Sequence, residues 1–149
     1  MQAQKAVELF SRIKHDFANH LQVISGYIDL GRYQEIKAYI AAIVEEFMME
    51  RTAFQSLDAE AVLYFYENIL LAHDLGIILK YNDLKISSIA RLQEKDEPAG
   101  TLRCLSVEFK GQDFEPVICL SVYEEDRGID LYFSCEYWEH NPVIVEIRE

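Results

Sequence analysis

Three polar side chains on one predicted helix could act together on a phosphoryl group. His15, Asp16 and Asn19 occur in the segment HDFAN, and the four-residue spacing of His15 and Asn19 places both on one helix face. A neutral imidazole nitrogen is a nucleophile, and a neighbouring carboxylate can stabilise the positive charge that forms on it. Phosphoryl transfer mainly requires positioning and charge stabilisation. We therefore predict His15 as the nucleophile, Asp16 as its orienting carboxylate, and Asn19 as the group that orients an acyl phosphate or a water.

The helix that carries these residues has one continuous apolar stripe. Its members recur at spacings of three and four: Phe10, Ile13, Phe17, Leu21, Ile24 and Ile28. At about 100° per residue, His15 points about 155° from the centre of the stripe, whereas His20 lies only about 65° from it. The pattern predicts an exposed His15, a His20 at the rim of the core, and a helix end near Leu30, before Gly31.

A second apolar stripe predicts a second helix. It comprises Ile36, Ile40, Ile43, Phe47 and Phe54. Residues 1–55 therefore read as an antiparallel helical hairpin with a short connection. Two helices cannot enclose a core by themselves, so we expect the hairpin to pair with a second copy as a dimeric four-helix bundle. Met48 and Met49 are expected to fill the far end of that bundle.

Residues 56–149 follow a different pattern and predict an α+β domain. A helix should begin after Asp58 and stop at Gly76. Alternating apolar residues then predict strands over 102–109, 117–124, 128–138 and 142–147, in an antiparallel sheet. The segment 93–100, QEKDEPAG, reads as an exposed loop. The three cysteines are expected to be inert packing residues on the strands.

Composition narrows the possible partners and the compartment. The 149 residues include 50% hydrophobic residues and carry a formal net charge of -12, which opposes binding to nucleic acid or to an anionic membrane. The chain shows no secretory leader and no apolar run long enough to span a bilayer, and its three cysteines suit a reduced interior. We therefore expect a cytoplasmic protein. We predict no metal site, and His73 and His140 are assigned only surface or core-edge roles.

The segment from Arg12 to Ile40, RIKHDFANHLQVISGYIDLGRYQEIKAYI, carries a recognisable signature. It resembles the phosphoacceptor hairpin of the sporulation initiation phosphotransferase B family and of the related citrate/malate-type sensor histidine kinases. The signature, H-D-x-x-N-H-L-Q-x-I-x-G and then L-x-x-y-x-x-a-x-x-Y-I, is matched by His15, Asp16, Asn19, His20, Leu21, Gln22, Ile24, Gly26, Leu30, Tyr33, Tyr39 and Ile40. Ala72 to Leu79, AHDLGIIL, is similar to the strand entrance A-x-E-x-G-I-x-L of the kinases' ATP-binding domain.

The resemblance implies a function for the whole chain. It implies that His15 is phosphorylated, that the hairpin forms a homodimer, and that the protein is a phosphotransferase passing phosphate between aspartates of response-regulator receiver domains in a phosphorelay, with sporulation as the pathway in that family. It also implies that residues 56–149 form a degenerate histidine-kinase-ATPase-like α/β sandwich. The chain itself would bind no cofactor, and Mg²⁺ would be held by the acidic pocket of the receiver. Docking is expected at the exposed neighbours of His15, namely Ser11, Arg12, Lys14, Ala18 and Gln22.

Departures from the kinase pattern argue against ATP binding. A kinase needs an Asn-containing helix after the G-I-x-L element and two glycine-rich loops that approach the nucleotide. The only sequence similar to these loops is Asp126-Arg127-Gly128, and it lies where a hairpin turn is expected. Three alternatives stay open: a sensor histidine kinase or a fragment of one, a non-catalytic module that binds response regulators, and a phosphatase that uses Asn19.

Overall fold

The structure, a computed structural model, describes residues 3–138 and 141–149. Two compact units are present, the first ending at Arg51 and the second running from Thr52 to Glu149. The helices are α1 (Ala3–Asp29), α2 (Tyr33–Phe54), α3 (Ala59–Asp74), α4 (Ala90–Glu94) and α5 (Ala99–Glu108). The strands are β1 (Ile78–Lys85), β2 (Val117–Glu125), β3 (Gly128–Ser134) and β4 (Val143–Arg148). His140 lies outside the described residues.

The first unit is the predicted helical hairpin. Helix α1 ends at Asp29, and Gly31 follows it with a φ of 68°, a left-handed conformation that glycine adopts without steric cost. The amide of Arg32 donates a hydrogen bond of 2.9 Å to the carbonyl oxygen of Tyr27, which closes the last turn. No helix in the described part of the chain is long and apolar enough to cross a membrane.

The hairpin leaves a large part of its apolar surface uncovered. Some apolar side chains of the hairpin are half-buried, such as Ile24 on α1 and Ile43 on α2. A second set, which we call the apolar row, is 42% to 63% exposed. The apolar row comprises Phe10, Ile13, Phe17, Leu21 and Ile28 on α1, and Ile40, Val44 and Phe47 on α2. Two rings of the apolar row, those of Phe17 and Phe47, stack with centroids 6.0 Å apart.

The second unit begins in the last turn of α2 and continues into the predicted helix α3. The carboxylate of Asp58 accepts a hydrogen bond of 2.8 Å from the amide of Ala61, so Asp58 is the N-cap that the sequence indicates. The helix stops before Gly76, whose φ is 81°. Phe54, predicted as the end of the hairpin stripe, instead packs its ring against Tyr66 and Tyr81 in this unit.

A four-stranded sheet completes the second unit, with strands in the order β1-β2-β3-β4. The class is α+β, as predicted. The sheet is mixed and not wholly antiparallel, because β1 pairs with β2 in parallel while the other two pairs are antiparallel. Parallel neighbours need a crossover connection, and α4 and α5 lie within it. The core lies on one face of the sheet, around Phe65, Leu120 and Phe133.

Two segments before β2 differ from the sequence prediction. Residues 102–109, predicted as a strand, belong mainly to α5. Leu102 and Leu105 are buried at a helical spacing of three, and Val107, which the strand interpretation put beside Leu105, is 67% exposed. The supposed loop 93–100 contains the end of α4 and the start of α5, and Pro98 is fully buried.

Candidate functional site

His15 lies in the middle of α1 on the outward side of the hairpin. Its side chain is 73% exposed, as the helical phase predicted, and Asp16 beside it is 70% exposed. A helix is a suitable support for this imidazole because all its backbone groups around position 15 are hydrogen-bonded internally. The ring is thus held on a rigid element and remains accessible from solvent.

Both polar neighbours of His15 approach the same ring nitrogen. The amide nitrogen of Asn19 lies 3.5 Å from Nδ1, and Oδ1 of Asp16 lies 3.9 Å from Nδ1. The second distance is too long for a hydrogen bond, because adjacent helical residues point in different directions. The carboxylate therefore acts on the ring through charge. Among the described residues, Nε2 of His15 has no hydrogen-bonding partner.

The predicted docking residues surround His15 on the same part of α1. All of them are exposed except Arg12, which is half-buried. They are Ser11, Arg12, Lys14, Ala18 and Gln22. This set contains two cations and no carboxylate, in a protein whose formal net charge is -12. These two cations can attract an acidic partner, while the carboxylate of Asp16 lies beside the ring, 3.9 Å from Nδ1.

The second histidine of α1 occupies a different environment. His20 is half-buried, as predicted, and its Nδ1 lies 2.7 Å from the hydroxyl oxygen of Tyr39 on α2. The two rings meet edge to face with centroids 5.6 Å apart, and Tyr27 packs edge-on against Tyr39 at 6.3 Å. Sequence reasoning assigned no role to Tyr39. The signal was present, because Tyr39 and His20 both belong to the signature, but nothing in the sequence indicates that they touch.

The tripeptide that is similar to a nucleotide-binding loop and the asparagine of α3 both have structural roles. Asp126-Arg127-Gly128 forms the turn between β2 and β3, where Glu125 pairs with Gly128. Asn68 is buried in α3 and donates a hydrogen bond of 2.9 Å to the carbonyl oxygen of Tyr64. Helix α5, which follows β1 along the chain, contains no asparagine.

Burial perturbs two titrating groups near the start of α5. Tyr64 donates a hydrogen bond to the carbonyl oxygen of Glu97, and burial raises the pKa of Tyr64 to about 12, with Asp96 and Glu97 adding to the rise. Burial also raises the pKa of Glu97, although its carboxylate accepts a hydrogen bond of 3.0 Å from Thr101. The Glu97 carboxylate also accepts a hydrogen bond of 3.3 Å from the backbone amide of Thr101 in the first turn of α5, so both groups have structural roles.

The cysteines show no arrangement for chemistry. Cys119 and Cys135 line a shallow cavity of about 720 Å³ at one end of the sheet, and burial raises the pKa of Cys119, which disfavours the reactive thiolate. Cys104, predicted on a strand, lies on α5 and is exposed. Within the described residues, no group of three or more His, Cys, Asp or Glu side chains could hold a metal ion.

Fold and site together define a class of protein: a helical hairpin that presents a histidine to solvent, followed by a separate α+β unit. Residues 1–56 match the family model described as the alpha-helical domain of SpoOB-type sensor kinases. The matched segment contains the signature around His15, and the match relates this part of the chain to two-component phosphorelay signalling. No curated protein matches the chain.

Proposed function

We propose that the protein is a histidine phosphotransferase of a two-component phosphorelay, with His15 as the residue that carries the phosphoryl group between receiver domains. The observation that supports this most directly is the geometry of the imidazole. His15 is 73% exposed, its polar neighbours approach Nδ1, and Nε2 has no partner in the described part of the chain. Nε2 is therefore the nitrogen that can meet a phosphoryl group.

The transfer step follows from this arrangement. The lone pair of Nε2 attacks the phosphorus of an aspartyl phosphate, a nitrogen–phosphorus bond forms, and the bond between phosphorus and the aspartate oxygen breaks. The aspartate leaves as a carboxylate with the bonding electrons. The reactive tautomer carries the ring proton on Nδ1, so the Asn19 amide does not donate to Nδ1 in this step. The positive charge that forms on the ring is stabilised by Asp16, whose Oδ1 lies 3.9 Å from Nδ1. The reverse step on a second receiver returns His15 to its neutral form.

Docking uses the exposed face around His15. A receiver presents an acidic pocket that holds Mg²⁺, and the docking residues next to His15 offer Arg12 and Lys14 with no carboxylate among them. Ser11, Ala18 and Gln22 are exposed and short or uncharged, so they permit close approach. Phosphoryl transfer needs a metal ion to neutralise the phosphate oxygens. We expect the acidic pocket of the receiver to hold this Mg²⁺.

The apolar row supports a homodimer. Eight large side chains that are 42% to 63% exposed on two adjacent helices form a continuous apolar surface of the kind that marks a protein interface. His15 points about 150° away from the α1 part of this row, so a partner covering the row would leave the imidazole free. A second copy of the hairpin offers a matching surface and would complete a four-helix bundle.

A transfer assay tests the proposal. A response-regulator receiver domain, phosphorylated with acetyl phosphate in the presence of Mg²⁺ and then freed of the donor, is mixed with the protein. We expect an acid-labile, alkali-stable label on the protein that maps to His15, and we expect His15→Ala to receive none. His73→Ala is the matched control, because it removes another exposed histidine in the second unit.

The same assay separates the competing functions. Labelling from ATP alone would indicate a histidine kinase. Loss of phosphate from the receiver without a labelled protein would indicate a phosphatase that uses Asn19, and receiver binding with no change in its phosphate would indicate a non-catalytic binding module. Equal labelling of the wild type and His15→Ala would contradict the assignment of His15.

A further inference from the structure

A hydrogen bond between His20 and Tyr39 joins the two helices of the hairpin. Nδ1 of His20 and the hydroxyl oxygen of Tyr39 are 2.7 Å apart, and both side chains are half-buried. Tyr27 supports the pair from α1 by packing edge-on against the Tyr39 ring. Other half-buried side chains in this part of the hairpin, such as Ile24 and Ile36, are apolar, and the burial of apolar surface does not depend on direction as a hydrogen bond does.

The position of His20 on α1 relates this contact to His15. Five residues separate the two histidines, and five residues turn an α-helix by a net angle of about 140°. When His20 is held against α2, His15 must therefore point away from α2. A rotation of α1 that broke the hydrogen bond would also swing the His15 ring around the helix axis and change its direction of approach to a docked phosphate.

The same contact also separates the two imidazoles chemically. His20 is half-buried, and its Nδ1 lies within hydrogen-bonding distance of the Tyr39 hydroxyl. His15 is exposed, and its Nε2 has no partner among the described residues. Two neighbouring histidines of one helix are thus in different states, one engaged within the hairpin and one available.

We infer that Tyr39 is a positioning residue for His15: its hydrogen bond with His20 sets the rotation of α1, so that His20 stays engaged within the hairpin and His15 faces the docked phosphate. This inference rests on the proposed function. Tyr39 touches neither the reacting nitrogen nor the phosphate, so its effect must appear in the transfer step and not in receiver binding.

The test uses Tyr39→Phe, which removes the hydroxyl and keeps the ring. We expect the single-turnover rate of transfer at saturating receiver to fall about fivefold, the factor that one neutral hydrogen bond is worth in an equilibrium. The receiver concentration for half-maximal rate should stay the same, because the docking residues are unchanged. An equal rate in Tyr39→Phe and wild type would overturn the inference, and so would a loss confined to receiver binding.

Variants of His20 provide the rescue and the double-mutant test. Asparagine places a polar atom near the position of Nδ1, so His20→Asn should keep most of the rate. His20→Leu should lower it as much as Tyr39→Phe does, and combining His20→Leu with Tyr39→Phe should cost no more than either change alone. Additive losses would show that the two side chains act separately and would overturn the inference.

A chemical probe keeps this test distinct from that of the proposed function. Diethyl pyrocarbonate modifies neutral, accessible imidazole nitrogens, so His15 should react quickly in the wild type and His20 slowly. Tyr39→Phe should raise the His20 modification rate at least threefold. An unchanged rate would overturn the inference even if receivers transfer no phosphate, whereas an unlabelled wild-type His15 in the transfer assay would overturn the proposed function.

Discussion

The amide nitrogen of Asn19 lies 3.5 Å from Nδ1 of His15, one helical turn further along α1. Both side chains come from the same helix, so their separation depends on the helical repeat and not on how the hairpin packs. The pair is exposed. The amide lies on the Nδ1 side of the imidazole, so Nε2 is on the other side of the ring.

Replacing Asn19 by alanine should slow phosphoryl transfer about threefold to tenfold. The imidazole would lose the amide that lies beside Nδ1 and would reach the in-line orientation less often. The measurement is the single-turnover rate from a phosphorylated receiver. Ser25→Ala, which removes another exposed polar group of α1, is the control and should transfer at the wild-type rate. A rate for Asn19→Ala equal to that of Ser25→Ala would contradict the orienting role.

Replacing Leu21 by glutamate should convert a homodimer into a monomer. Leu21 is 59% exposed within a single chain and belongs to the apolar row, so a dimer interface there would have to bury the new charge without a partner. Sedimentation equilibrium at micromolar concentration measures the mass. Gln22→Glu adds the same charge on the histidine side of α1 and should leave the dimer intact. A wild-type protein that sediments as a monomer would refute the dimer.

The stability of the second unit should fall as the pH rises from about 10 to about 12. The pKa of Tyr64 is raised to about 12 in the folded protein, whereas an unfolded tyrosine titrates near 10. The folded state therefore binds the proton more tightly, and its advantage is complete below pH 10 and is lost as the pH passes through 12. The midpoint of urea unfolding at pH 9 and at pH 11.5 should differ less in Tyr64→Phe than in the wild type. Tyr33→Phe is the control, because Tyr33 is exposed in the first unit, and it should behave like the wild type.

Replacing Gly128 by alanine should destabilise the second unit by several kcal/mol. A Cβ at this position would lie 1.7 Å from the carbonyl oxygen of Ile147 and 2.8 Å from its carbonyl carbon, so β4 would have to move away from β3. Overpacking that displaces backbone typically costs about 1–3 kcal/mol or more. Urea unfolding measures the change. Gly26→Ala is the contrasting variant, because a Cβ there meets nothing within 4 Å and alanine favours the helix by about 1 kcal/mol. Equal stabilities of the two variants would contradict the packing at Gly128.

The first unit was predictable because its signals are local. Apolar spacings of three and four fix both helices, Gly31 fixes the turn, and the helical phase fixes which side of α1 carries His15. The predicted exposure of His15 and the half-buried state of His20 are both confirmed. Each of these features follows from the helical repeat and needs no knowledge of a distant residue.

The second unit was predictable only in part, because alternation and helical spacing can coincide over a short segment. Leu105, Val107 and Phe109 alternate like a strand, while Leu102, Leu105 and Phe109 follow the helical spacing that the protein adopts. Burial of Leu102 and Leu105 against the sheet decides between them. The parallel pairing of β1 with β2 follows from this choice, since the helices form the crossover.

The sequence by itself determined the helical hairpin, the outward position of His15 and the cluster it forms with Asp16 and Asn19, because these depend on residues within a few turns of one another. Only the tertiary structure decided that His20 meets Tyr39, nineteen positions away, and that Phe54 packs into the second unit. Contacts between distant residues depend on how whole elements pack, and no local pattern records them.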